Sequence, residues 1–244
     1  MTESKIILIT GASSGIGAAV ATHLARAGHH VIGGARREDR LKELLETTAA
    51  EKAGGSLSVR RLDVTDREDM AEFVDDAVAA HGRVDVLVNN AGVMPLSRLD
   101  ALLVDQWDNM IDVNVRGLLN GIAAALPQFQ RLGCGHFVTV ASVGAHEVVP
   151  TGAVYCATKH AAWAITEGLR LELDPSIRVT TVSPGVVETE LADTITDPVA
   201  VQAMRDYRAA AISPQAIARA IGYAIDEPAE VDVNEVIVRP VRQR

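Results

Sequence analysis

Seven short apolar runs rich in β-forming residues recur along the chain, at 6–9, 31–33, 57–62, 84–88, 136–140, 179–182 and 236–238. Stretches with helical periodicity lie between and after them, at 15–27, 38–53, 67–81, 106–132, 153–173, 198–207 and 214–225. Strands that alternate with helices build βαβ units, and those units demand a parallel sheet covered on both faces. The crossovers should be right-handed. No repeat, low-complexity segment or dividing linker interrupts the pattern. We therefore expect one α/β domain over 1–244, a doubly wound parallel sheet of about seven strands with helices on both faces.

Composition agrees. Hydrophobic residues make up 48% of the 244 residues and aromatics only 3%, so the core must be mostly Ala, Val, Leu and Ile. That suits strands buried on both sides. The net charge of −9, from 23 basic and 32 acidic residues, argues against general nucleic-acid binding but leaves room for a local phosphate pocket. Cys134 and Cys156 form no metal-spaced or secretory pattern, and the histidines show no ligand constellation, so no metal is expected. Met1 to Lys5 leads straight into the first strand, and no apolar run approaches the ~18 residues of a membrane span. The expectation is a cytoplasmic protein with no membrane or nucleic-acid partner.

The first strand runs into Gly11-Ala12-Ser13-Ser14-Gly15-Ile16-Gly17 and then an alanine-rich helix. Glycines at such a turn let backbone approach a pyrophosphate, and the helix N-terminus adds free N–H groups and a positive dipole end. Ser13 and Ser14 add hydroxyls. The second strand ends Gly33-Gly34-Ala35-Arg36-Arg37. In dinucleotide folds an acidic residue there bonds the ribose 2′-hydroxyl, whereas arginine accommodates a 2′-phosphate. Arg36 and Arg37 thus point to NADP(H). The alternative is that Arg36, Arg37 and Arg40 form a solvated helix start opposite Glu38 and Asp39.

Tyr155 and Lys159, four residues apart, share one helix face. A phenol, with a pKa near ~10, is a poor proton carrier at neutral pH, and a nearby cation pulls it toward the working range. Ser142 supplies a hydroxyl that can bond a substrate oxygen beside them. The set suits proton transfer to a carbonyl/alcohol pair.

Taken together, Thr10–Gly17, Asn89-Asn90-Ala91-Gly92, Asn114, Ser142, Tyr155/Lys159 and Pro184-Gly185 resemble the short-chain dehydrogenase/reductase family, in order and spacing, from about Lys5 to Val238. The resemblance implies a Rossmann-like fold and a nicotinamide cofactor. It implies Tyr155 as general acid and base, Ser142 as orienter of the reacting oxygen, and Lys159 as partner of Tyr155 and of the nicotinamide ribose. Asn114 would support a water that links Lys159 to solvent. Asp63 would bond the adenine amino group and Val64 would cover the ring, although a strand-end Asp can also cap the next helix, a task better suited to Asp66. Asn90, Ala91 and Gly92 would line the cofactor's path. Pro184, Gly185, Val187 and Thr189 would contact the nicotinamide amide. Ala35 stands where NAD-preferring members usually carry Asp.

Substrate candidates are Val93, Met94, Ala145, His146, Val148, Val186, Leu191, Met204 and Tyr207, besides Ser142. The set favours an apolar or amphiphilic carbonyl compound. His146 is equally readable as a solvated loop residue. The irregular stretch 189–213 reads as a mobile lid, or else as an ordinary surface helix and loop. The Gly34–Leu41 and C-terminal stretches look like the NADP-dependent branch acting on serine and 3-hydroxy acids. A 3-ketoacyl-(carrier protein) reductase and a non-catalytic NADP-binding sensor are the alternatives. The family also implies a homotetramer joined through paired helices.

Overall fold

The computed structural model describes residues 4–50 and 54–243. The expected strands form as β1 (Ile6–Thr10), β2 (His30–Ala35), β3 (Ser56–Arg61), β4 (Val86–Asn89), β5 (Gly135–Val140), β6 (Ile177–Pro184) and β7 (Glu235–Val238). They make one sheet in the order β3-β2-β1-β4-β5-β6-β7. Every neighbouring pair is parallel. All five residues of β1 and all eight of β6 are buried, as continuous apolar runs in a doubly covered sheet require.

Helices cover both faces. On one, α1 (Gly15–Arg26), α2 (Glu38–Ala50) and α8 (Pro214–Asp226) bury Val20, Leu24, Leu41, Leu44, Ile217 and Ile221 against Ile7, Ile9, Val31, Val86 and Val138. On the other, α3 (Arg67–His81), α5 (Gly117–Leu132) and α6 (Ala153–Glu172) pack Phe73, Phe129, Leu118 and Ala162 against Leu8, Leu87 and Phe137. Each fully buried Leu, Ile or Phe contributes roughly 1.5–3 kcal/mol. The last three residues of the expected helix 38–53 lie outside the described residues. Asp66 caps α3 by accepting from the Glu68 and Asp69 amides, the role expected of it rather than of Asp63.

Strand order reverses between β1 and β4, which opens a crevice at their carboxyl ends. The segments that carry the candidate site residues leave the sheet there.

The periodicity predicts one helix over 106–132, but the structure divides it. α4 (Val104–Ile111) passes into a π turn at Asp112–Arg116 before α5 begins. Asn114 sits in that turn. Its Oδ1 accepts from the Val93 amide at 2.8 Å, and its Nδ2 donates to the Val93 carbonyl and to Thr158 Oγ1, both at 3.0 Å. One inserted residue rotates the helix face and aims the amide at the chain leaving β4.

The segment after β6 is a closed excursion. Glu188 N donates to Ile212 O at 2.9 Å and Ile212 N to Val186 O at 3.0 Å, so its two ends are stitched together. Between them lie a short 3₁₀ turn at Glu190–Thr194, then α7 (Pro198–Tyr207). Ile195 and Ala200 bury against Leu96, with Met94, Tyr155 and Met204 packed around them. This small core sets the excursion over Tyr155. No described helix is long and apolar enough to cross a membrane.

Candidate active site

The glycine turn is drawn tight by its neighbours. Thr10 Oγ1 accepts from the Asn90 and Ala91 amides at 3.0 and 3.1 Å, and Asn90 Nδ2 donates to Thr10 O at 2.8 Å and Gly11 O at 3.2 Å. A Cβ on Gly17 would lie 2.2 Å from Gly11 O, and one on Gly11, whose φ is +70°, would lie 2.8 Å from Ala91 Cα. Only hydrogen fits at both positions. Ser14 is the N-cap of α1 but makes no side-chain cap bond, and no acidic residue occupies the first turn. The first turn of α1 therefore supplies no anion of its own to its amides, and the dipole end is open to a bound one. Glycines that admit close approach, uncapped amides and two serine hydroxyls together fit the pyrophosphate of a dinucleotide.

Arg37 folds across this turn. Its Nη2 donates to Ser14 Oγ at 2.6 Å and Ser13 Oγ at 3.2 Å, and its Nη1 to Glu190 at 2.8 Å. Arg40 donates to the other Glu190 oxygen at 3.0 Å. Arg37 and Arg40 thus pair with Glu190, across the cleft, and remain 48% and 43% exposed. Asp63, at the end of β3, accepts from the Thr65 amide and hydroxyl at 3.0 and 2.8 Å. Burial pushes its carboxyl up, but those bonds and the charges of Arg36 and Arg61 outweigh it, leaving the pKa below the ordinary value.

Ser142, Tyr155 and Lys159 converge at the other end. Ser142 Oγ accepts from the Gly144 amide at 3.0 Å, which leaves its single proton to donate elsewhere. Lys159 Nζ donates to Val140 O at 2.9 Å and lies 5.9 Å from the centre of the Tyr155 ring. Burial pushes the Tyr155 phenol up to about 12 although the Ser142 hydroxyl pulls it the other way. Burial brings the Lys159 ammonium down to about 8. Burial is the largest influence on the phenol, and the Lys159 ammonium donates to the Val140 carbonyl rather than to Tyr155. Asn114 does not reach Lys159 through its side chain, because all its amide bonds go to Val93 and Thr158. Behind Lys159 a small cavity of about 10 Å³ is bounded by Asn89, Asn114 and Thr139.

A cleft of about 450 Å³ joins the two ends. Gly11, Ser13, Ser14, Gly15, Ile16, Gly17, Arg36, Arg37, Asp63, Val64, Asn90, Ala91 and Gly92 line it toward the glycine turn. Ser142, Tyr155, Lys159, Pro184, Gly185, Val187 and Thr189 line it farther along, with Val93, Met94, Val186, Leu191, Met204 and Tyr207. His146 is not among the lining residues. Its Nε2 lies 2.7 Å from Glu235 Oε1, and its ring meets Trp163 edge-on at 6.1 Å. That pair turns it away from the cleft, a correction to the substrate role. Ala145 is buried and Val148 projects into solvent, and neither lines the cleft. Glu147, Val149, Glu190 and Arg208 line the cleft instead and went unnoticed in the sequence.

Residues 5–200 match the family model described as short chain dehydrogenase. An uncharacterized oxidoreductase of Staphylococcus saprophyticus is 46% identical over 244 residues, covering 99% of this chain and 98% of that protein. The structure of an alcohol dehydrogenase from the archaeon Thermococcus sibiricus, complexed with 5-hydroxy-NADP, superimposes with a TM-score of 0.87 at 32% identity and covers 99% of both chains. A closed form of serine dehydrogenase complexed with NADP+ gives a TM-score of 0.88 at 30% identity, covering 98% of this chain and 96% of that one.

Proposed function

This chain belongs to the short-chain dehydrogenase family, and on that premise we propose that it is an NADP(H)-dependent reductase of small, neutral, mainly apolar aldehydes or ketones. At the coarser level it is an NAD(P)(H)-dependent oxidoreductase acting on carbonyl and alcohol groups. One observation carries the finer reading. The Tyr155, Ser142 and Lys159 trio faces one end of a cleft whose other end is an anion-binding turn crossed by an arginine.

When bound, a nicotinamide dinucleotide supplies the hydride. Ser142, with its oxygen satisfied by Gly144, donates to the substrate carbonyl oxygen and orients it. Tyr155, its phenol protonated throughout the neutral range, donates its proton to that oxygen as charge develops there. In oxidation the same phenolate must accept a proton, which the raised pKa makes harder to prepare. Lys159 holds positive charge at the floor, beside Gly92. Asn114 locks the chain leaving β4 against α6, which keeps that floor in place.

The substrate end is walled by Met94, Leu96, Val149, Val186, Leu191 and Met204. Glu147 and Arg239 act on the Tyr207 phenol with opposite signs, and Arg208 also lines the cleft, so the wall carries charge of both signs. Its mainly apolar surface favours a neutral carbonyl compound. The excursion 189–213 serves as the lid over it.

For the cofactor, the support is Arg37 and Arg36 at the end of β2, with no carboxylate at Ala35. Arg37→Ala and Arg36→Ala should each raise the KM for NADPH about tenfold and leave that for NADH within twofold, as the loss of a charge-assisted phosphate contact requires. Steady-state kinetics with both cofactors checks this, and an unchanged NADPH KM contradicts it. Assembly as a homotetramer is supported by Val104, Ile111 and Leu119, which remain 44–48% exposed on α4 and α5. Light scattering should return a four-chain mass, and a monomer would refute it.

A further inference from the structure

The geometry points to Glu190 as an internal competitor for the phosphate site: its carboxylate fills the fork of Arg37 and Arg40 and must leave before an adenosine 2′-phosphate can enter. The inference rests on the NADP(H) reading above. Glu190 Oε2 accepts from Arg37 Nη1 at 2.8 Å and Oε1 from Arg40 Nη2 at 3.0 Å. Arg37 at the same time grips the hydroxyls of Ser13 and Ser14 on the glycine turn. Arg40 also holds Glu43 of its own helix, at 3.2 Å. One carboxylate from beyond β6 is thus seated between two guanidiniums from the β2–α2 junction, inside the cleft that the cofactor uses.

The side chains of Arg37, Arg40 and Glu190 are 41–48% exposed, and ion pairs in such positions contribute little to folding. Their effect falls on binding. A phosphate monoester brings more charge and a third oxygen to the same fork, so it displaces the carboxylate. A ribose 2′-hydroxyl makes no such demand. Glu190 therefore weakens the phosphorylated dinucleotide and leaves the unphosphorylated one untouched, so it moderates the preference that Arg37 creates. Glu190 also opens the 3₁₀ turn that leads to Ile195 and Ala200, the residues packed over Tyr155. Its release by phosphate frees the start of that segment, which couples the adenosine end of the cleft to the roof of the substrate end.

The test uses adenosine 2′,5′-bisphosphate and adenosine 5′-monophosphate as probes, titrated calorimetrically into the wild type and Glu190→Gln. The bisphosphate should bind the variant about fivefold more tightly than the wild type, with the monophosphate changing less than twofold. Amide hydrogen exchange at 190–194 should quicken when the bisphosphate is added to the wild type. In the variant it should be fast already and indifferent to nucleotide. Bisphosphate affinity that is equal or lower in Glu190→Gln overturns the competitor role, as does exchange at 190–194 that ignores the bisphosphate in the wild type. The NADP(H) reading fails separately, if the bisphosphate binds neither protein more tightly than the monophosphate does.

Discussion

Replacing Tyr155 by Phe should lower carbonyl reduction by about 10³-fold or more, the upper part of the range for loss of a positioned general acid. The change deletes one hydroxyl and keeps the ring that packs against the cluster of Leu96, Ile195 and Ala200. Fold and cleft should therefore survive. Dinucleotide affinity, followed by fluorescence titration, should stay within about threefold, because the glycine turn and the arginines lie at the opposite end of the cleft. The split between lost turnover and retained binding is the diagnostic result. Ser142 cannot substitute for the phenol, since its hydroxyl lacks a base or cation to replenish its proton. A variant that keeps more than a few percent of wild-type turnover would show that the proton comes from elsewhere.

Lys159→Met should abolish turnover and at the same time make the protein more stable. The ammonium is buried, and burial holds its pKa at about 8 against the ordinary 10.5. At neutral pH the folded protein therefore carries a cation that its surroundings disfavour. At roughly 1.4 kcal/mol per pKa unit, less the bond to Val140 O, relief amounts to about 2 kcal/mol. For a chain of this size the melting temperature should rise about 4–8 °C. The pH dependence follows in sign. Below pH 8 both folded and unfolded chains hold the proton, and the penalty is constant. Between about 8 and 10.5 the unfolded chain holds more protons, so wild-type stability rises with pH through that window. The variant should lose this rise. Tyr155, held at about 12, acts only above pH 10 and in the opposite direction. Denaturant midpoints for both proteins at pH 7, 9 and 10 check the argument. A variant less stable than wild type at pH 7 would contradict it. The trade of stability for a poised charge is characteristic of functional sites.

The parts of this molecule that could be read from its sequence are those in which one local rule decides the outcome. β1, the glycine turn and α1 belong here, because only glycine fits against Gly11 O and Ala91 and the buried strand shows no polar break. The alternation of strands and helices specified the sheet for the same reason. What escaped depended on contacts between distant residues or on small differences of period. The π turn at Asp112–Arg116 shifts a helix by one residue, which apolar periodicity tolerates without a mark. His146 stands four residues after Ser142, where a pocket residue is plausible, but Glu235 from the last strand captures it. Glu190 meets Arg37 across 153 residues of chain, and nothing near either residue announces the pair. Tyr155 and Lys159, four residues apart on one face of α6, both line the cleft. Burial by the surrounding walls acts on the pKa of each, which spacing does not record.

We propose that this cleft reduces neutral carbonyl compounds with NADPH. The most direct test follows NADPH consumption by absorbance across a panel of apolar aldehydes, ketones, 3-keto esters, 3-keto acids and ketoacyl thioesters, with NADH in parallel. Turnover with NADPH should stand well above that with NADH, best on neutral apolar carbonyls and weaker on free acids. Comparable rates with the two cofactors, or NADPH binding without turnover on any carbonyl, would contradict it.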